Sequence, residues 1–210
     1  MAGIRLLCAA LALACVSTAQ ATIIFTLGNN PQPAEENILL TAGDTGVSID
    51  GTTNQTGLDV TFTSTQTLVV SATGTSITGD GTPLLGISMA LTDGGSSRDY
   101  IFNPFVASTC SGCGGTATIS VESMLDGLPE STSVFSYHLG NGNNFVTITT
   151  TGGESIATMS VSAPQGFSSL GSLRISGPYT GVTSVPEPAT LALLALGLAG
   201  IVFGRRHTPN

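Results

Sequence analysis

Along the middle of the chain, apolar side chains recur at every second position in short runs, the period of a strand with one face turned to a core. Leu58, Val60 and Phe62 fall on one face, with Asp59 and Thr61 on the other. Leu85, Ile87, Met89 and Leu91 repeat the pattern, as do Ala117, Ile119 and Val121, and then Phe135, Tyr137 and Leu139. Val146 and Ile148 alternate with threonines, and Ala157, Met159 and Val161, then Leu173 and Ile175, continue the series. Residues 22–27 open as a strand with Ile23 and Phe25 opposite Ile24, and residues 28–36 follow as a loop broken by Pro31 and Pro33. Turn signals punctuate the runs at Asp50-Gly51, Asp80-Gly81, Asp93-Gly94, Asp126-Gly127, Asn141-Gly142 and Gly152-Gly153. Gly140-Asn141-Gly142-Asn143-Asn144 reads as a hairpin tip joining the strand before it to the strand after it. No helical period of useful length occurs between residues 22 and 184, and no fixed-period repeat. The expectation is an all-β domain over residues 22–184, ten to twelve short antiparallel strands in a β-sandwich or jelly roll.

Two stretches break this pattern, one at each end. Residues 1–21 carry Arg5, an apolar run over residues 6–16 and Ala19-Gln20-Ala21, the three parts of a secretory signal peptide. Cleavage after Ala21 leaves Thr22 as the first mature residue. A lipobox before Cys15 is the competing reading, with alanine at position 12 where leucine is preferred. At the other end, residues 189–204 hold no charge, and Thr190 is their only polar side chain. As a helix they would extend about 24 Å, somewhat short of a hydrocarbon core of about 30 Å. Arg205 and Arg206 follow as a basic stop that can snorkel to the headgroups and keep that end cytoplasmic. Just before the run, Pro186 and Pro188 fix φ and lack N–H donors, which holds the segment around Glu187 extended and separate from a helix.

In that order, Pro186-Glu187-Pro188, the apolar run and Arg205-Arg206 resemble the PEP-CTERM sorting signal of bacterial surface and matrix proteins. The resemblance covers residues 185–206 and implies nothing about the fold of the rest. It implies a partner, an exosortase-type membrane protease that recognises this tail and removes it. It also implies a transient tether in the inner membrane, then a place on the cell surface or in an extracellular polysaccharide matrix. A permanent C-terminal anchor behind a proline linker is the competing reading.

Charge narrows the partners of the central domain. The chain has five arginines and no lysine, and only Arg98 and Arg174 lie between residues 22 and 184, against twelve carboxylates. A field of that sign repels phosphate backbones, so nucleic acid is not an expected partner.

Candidate chemistry within the domain is sparse. Cys110 and Cys113 are the two thiols left once Cys8 and Cys15 depart with the signal peptide. No helix is predicted there to activate a redox cysteine, and no second ligand pair to hold zinc, so a short disulfide across a Gly-rich loop is expected, with free thiols as the alternative. His138 would be the sole histidine available to a catalytic triad, and no G-x-S-x-G elbow accompanies it. The chain is therefore not expected to be an enzyme. Binding of a carbohydrate or of Ca2+ is the alternative function. Asp80, Asp93 and Asp126 sit in glycine-flanked turns, but no EF-hand loop is present. Sugar recognition favours aromatic platforms, and with no tryptophan the candidates are Tyr100 and Tyr179. No cofactor beyond such a calcium ion is expected. Asn54-Gln55-Thr56 reads as a turn with a local side-chain hydrogen bond.

Overall fold

The computed structural model describes residues 22–179. The expected signal peptide with Ala19 and Ala21, and the tail with Pro186, Glu187, Pro188, Arg205 and Arg206, lie outside the described residues. Twelve strands are present: β1 (Thr22–Leu27), β2 (Glu35–Leu40), β3 (Thr45–Thr53), β4 (Asp59–Val70), β5 (Ser76–Gly79), β6 (Leu84–Leu91), β7 (Ser96–Phe105), β8 (Gly115–Leu125), β9 (Leu128–Leu139), β10 (Val146–Thr151), β11 (Glu154–Phe167) and β12 (Ser169–Tyr179). Among the described residues there is no helix, so none is long and apolar enough to cross a membrane.

Every pairing is antiparallel, and the strands form one path, β1-β10-β7-β12-β2-β3-β4-β6-β11-β8-β9. The path rolls on itself, because β5 pairs with both β12 and β4, and β7 touches β11 through Ser97 and Ile156. The inward side chains form one core. Val60, Phe62, Met89, Ile119 and Met159 come from one half of the path, and Tyr100, Phe102, Ile148 and Ile175 from the other. This is the all-β, sandwich-like class that the alternation predicts. The two strands at the ends of the path, β1 and β9, meet through their aromatic side chains: Phe25 stacks on Phe135 with centroids 5.2 Å apart, and lies tilted against Tyr137 at 5.7 Å.

The β8–β9 connection shows how locally the turns are encoded. Asp126 (φ 52°) and Gly127 (φ 77°) both take left-handed conformations between paired strands, as a two-residue type I′ hairpin requires. A Cβ on Gly127 would meet nothing within 4 Å, so Gly127→Ala is expected to show the backbone cost alone, about 1–2 kcal/mol. Urea unfolding checks it, and a loss below about 0.3 kcal/mol would count against the assignment.

Several expectations need correction. Asp50-Gly51 is not a turn but lies inside β3, where a Cβ on Gly51 would come within 2.6 Å of Ile38 Cγ2; the glycine is there for close packing. The 140–144 segment is not a hairpin tip, because β9 pairs with β8 while β10 pairs with β1 and β7, so the segment passes from one end of the path to the other. Leu85 is exposed and Leu84 takes the core position, since the β6–β11 register slips between Ser162 and Phe167. Ile156 likewise replaces Ala157 in the core beside a bulge in the β8–β11 pairing.

The 28–34 connection explains a further departure. It leaves β1, crosses the outer face of β10, β7 and β12, and enters β2. The Asn30 amide donates to Thr147 Oγ1, Thr147 Oγ1 donates to Gly28 O, and Arg174 donates to both Asn29 Oδ1 and Glu35 Oε2. Ile101, in register between Thr147 and Arg174, is buried on that outer face.

Candidate functional site

The chemistry-bearing residues separate into those that hold the fold and those left open. Glu36 belongs to the first group. Its Oε2 accepts the amides of Gln55 and Thr56 and the Thr56 hydroxyl. Burial works to raise its pKa, and these bonds outweigh it, holding the carboxyl below the usual 4.5. The Asn54-Gln55-Thr56 turn is thus fastened to β2, where Asn54 Oδ1 also accepts from the Asn37 amide, and it carries the expected local side-chain bond between the Thr53 and Thr56 hydroxyls. Asp99 is the opposite case. Burial pushes its pKa up to about 6 from 3.8, although the Ser176 hydroxyl donates to Oδ2; Glu35 adds to the rise, and Arg174 opposes it. Its Oδ1 has no partner.

The other expected residues are placed as follows. The Cα atoms of Cys110 and Cys113 are 5.5 Å apart and their sulfurs are bonded, in the loop between β7 and β8. No helix follows them that would lower a thiol pKa. His138 is exposed on β9, and its side chain makes no hydrogen bond among the described residues. Asp93 caps its own turn by accepting from the Gly95 amide, and Asp126 forms the hairpin. Asp80, Asp93 and Asp126 are not brought together, and among the described residues no three His, Cys, Asp or Glu side chains cluster as metal ligands. Tyr100 is no platform: it is fully buried, and burial drives its hydroxyl pKa up. The side chain of Tyr179 lies outside those described.

Among the concavities on the described surface, three differ in their chemistry. A trough of about 490 Å³ crosses the outer face of β4, β6 and β11 and is walled by Thr63, Ser64, Thr65, Ser88, Ser160 and Ser162. Another, of about 380 Å³, lies at Glu122, Ser123 and residues 129–132. The third is chemically mixed. It occupies about 350 Å³ where β1 and β9 meet, and its lining includes Leu27, Tyr137, His138, Asn143, Asn144 and Phe145.

The 140–144 segment that walls this third pocket is held by one side chain. Asn144 Nδ2 donates to the carbonyls of Gly140, Gly142 and Pro104, and its Oδ1 accepts from the Gly140 amide. The Asn144 amide donates to Asn103 Oδ1, while Asn103 Nδ2 donates to Asn143 Oδ1. Gly142 and Val106 exchange both backbone bonds. On the opposite wall the Gly28 amide donates to Phe145 O. Sequence reasoning missed this pocket because its residues come from three separate stretches with no motif. The one available signal was the run of asparagines at 141, 143 and 144, which read as turn chemistry.

Comparison with known proteins adds one assignment at the far end of the chain. A family model described as the PEP-CTERM protein-sorting motif matches residues 184–206, so the chain carries that motif, as Pro186-Glu187-Pro188 and the following run predict. No curated protein matches the chain. Two solved structures are weakly similar. One is described as "CBM35 from Cellvibrio japonicus Abf62", 16% identical over 75% of this chain and 99% of that one, with a TM-score of 0.15. The other is a family 35 carbohydrate binding module from Clostridium thermocellum, 14% identical over 61% of this chain and 98% of that one, with a TM-score of 0.15. At that TM-score neither likeness bears on the fold or the function.

Proposed function

We propose that this is an exported bacterial surface or matrix protein, tethered for a time in the inner membrane by residues 189–204 and released when an exosortase-type protease cuts its tail. The observation that carries the reading is the sorting motif at residues 184–206. The chemistry of the segment supports it. An extended Pro-Glu-Pro strand beside a membrane is a conformation a protease can grip, and a short motif before a disposable apolar tail follows the same logic as a GPI signal. Export accounts for Ala19 and Ala21 as the signal cleavage site and for an oxidising compartment that suits a Cys110–Cys113 bridge. Replacing Pro186, Glu187 and Pro188 together with alanine is expected to leave a longer, membrane-retained form. Intact mass and cell fractionation read the result, and an unchanged size and location would overturn the proposal.

A second reading, a ligand-binding sandwich, is favoured on the carbohydrate side by the mixed pocket between β1 and β9. Among the described residues no comparable cluster of carboxylates supports calcium.

A further inference from the structure

We propose that the pocket lined by Leu27, Tyr137, His138, Asn143 and Phe145 binds a neutral saccharide, one or two rings of an uncharged polysaccharide. The inference rests on the carbohydrate reading and is independent of how the tail is processed. A volume of about 350 Å³ falls at the lower end of the roughly 300–1,000 Å³ of small-molecule sites. No carboxylate, guanidinium or ammonium group lines it, so it offers neither the hard oxygens a cation needs nor the positive charge an anion needs. The chain's net charge of −8 further opposes an acidic ligand.

What the pocket offers is an apolar wall with scattered polar groups. Leu27 is 60% exposed and Phe145 half-buried at its mouth, surfaces suited to the C–H face of a sugar ring. The His138 side chain has no hydrogen-bond partner among the described residues, which leaves its ring nitrogens for a ligand hydroxyl. Asn143 Oδ1 is occupied by Asn103 Nδ2. That contact fixes the carboxamide and leaves its Nδ2 with no protein acceptor. The Asn144 clamp orders the 140–144 wall in advance, so binding need not bear the cost of ordering it.

Calorimetry on the full chain in detergent tests this with neutral tetrasaccharides of glucose, mannose, galactose and N-acetylglucosamine, and trigalacturonate as the anionic comparison. At least one neutral probe is expected to bind. His138→Ala and Asn143→Asp should each weaken it tenfold or more. Ser160→Ala, in the separate trough, should change nothing. If no neutral probe binds, the carbohydrate reading itself fails. If a neutral probe binds but ignores His138 and Asn143, or responds to Ser160→Ala, the site is elsewhere and the proposal falls alone. Binding of trigalacturonate only overturns the ligand class.

Discussion

Phe102→Ala is expected to destabilise the domain by about 3–5 kcal/mol, the range for deleting a buried aromatic ring. Phe102 is 0% exposed, in the interior of β7 opposite Val146, and part of the shared core. Strands pair on both sides of β7, with β10 on one and β12 on the other, so the backbone has little freedom to collapse into the space the ring leaves. Against a total stability of about 5–15 kcal/mol, that removes a large share. Thermal unfolding should register it as a fall of about 10 °C, taking roughly 2–4 °C per kcal/mol for a domain of this size. Ile24→Ala, at a side chain 42% exposed on β1, should stay within about 0.5 kcal/mol. Equal losses at the two positions would contradict the placement of the core.

Asp99→Asn is expected to stabilise the domain at neutral pH, with a gain that disappears in acid. The folded state binds the Asp99 proton more tightly than the unfolded chain does, since burial lifts its pKa to about 6 from 3.8. The favourable contribution of the protonated carboxyl is therefore complete below about pH 3.8 and is lost as pH rises through 6. A difference of that size corresponds to about 3 kcal/mol of lost stability at pH 7.5. An asparagine keeps an oxygen for the Ser176 hydroxyl and carries no charge to desolvate, so it should recover about 2–3 kcal/mol at pH 7.5 and progressively less between pH 6 and 4. Glu36 moves the other way: its lowered pKa contributes stability above the unfolded value that is lost in acid. Comparing wild type with the Asp99→Asn variant isolates the first group, and a difference that does not change between pH 4 and 8 would refute it.

The strands legible in the sequence are those with one wet face. Val60 and Phe62, Ile119 and Val121, and Tyr137 and Leu139 alternate with polar neighbours and are buried as expected. β7 did not announce itself, because it is buried on both faces: Tyr100 and Phe102 inward, Ser97, Asp99 and Ile101 outward. The cover over Ile101 is the 28–34 connection, a tertiary event that no local pattern records. β3 was hidden for a different reason. Its Asp50-Gly51 has the composition of a turn, and only its pairing with β2 and β4 makes it strand. At 140–144 the asparagines and glycines suggested a hairpin tip, but the strands on either side, β9 and β10, do not pair with each other. Sorting and pocket differ in the same way. The motif at residues 184–206 is contiguous and could be read directly. The pocket assembles Leu27, His138 and Phe145 across more than a hundred residues of chain, and only the meeting of β1 and β9 makes them neighbours.

The position of β12 decides how the domain responds to a pull from its C-terminal side. Tension applied from the C-terminal side enters the fold at Tyr179, the last residue of β12. That strand is interior, laddered to β7 from Ser169 to Tyr179 on one side and to β5 and β2 on the other. An edge strand such as β1 can be peeled away one bond at a time. Extracting β12 means breaking ladders on both sides, so a pull applied at Tyr179 meets more resistance than one applied to such an edge.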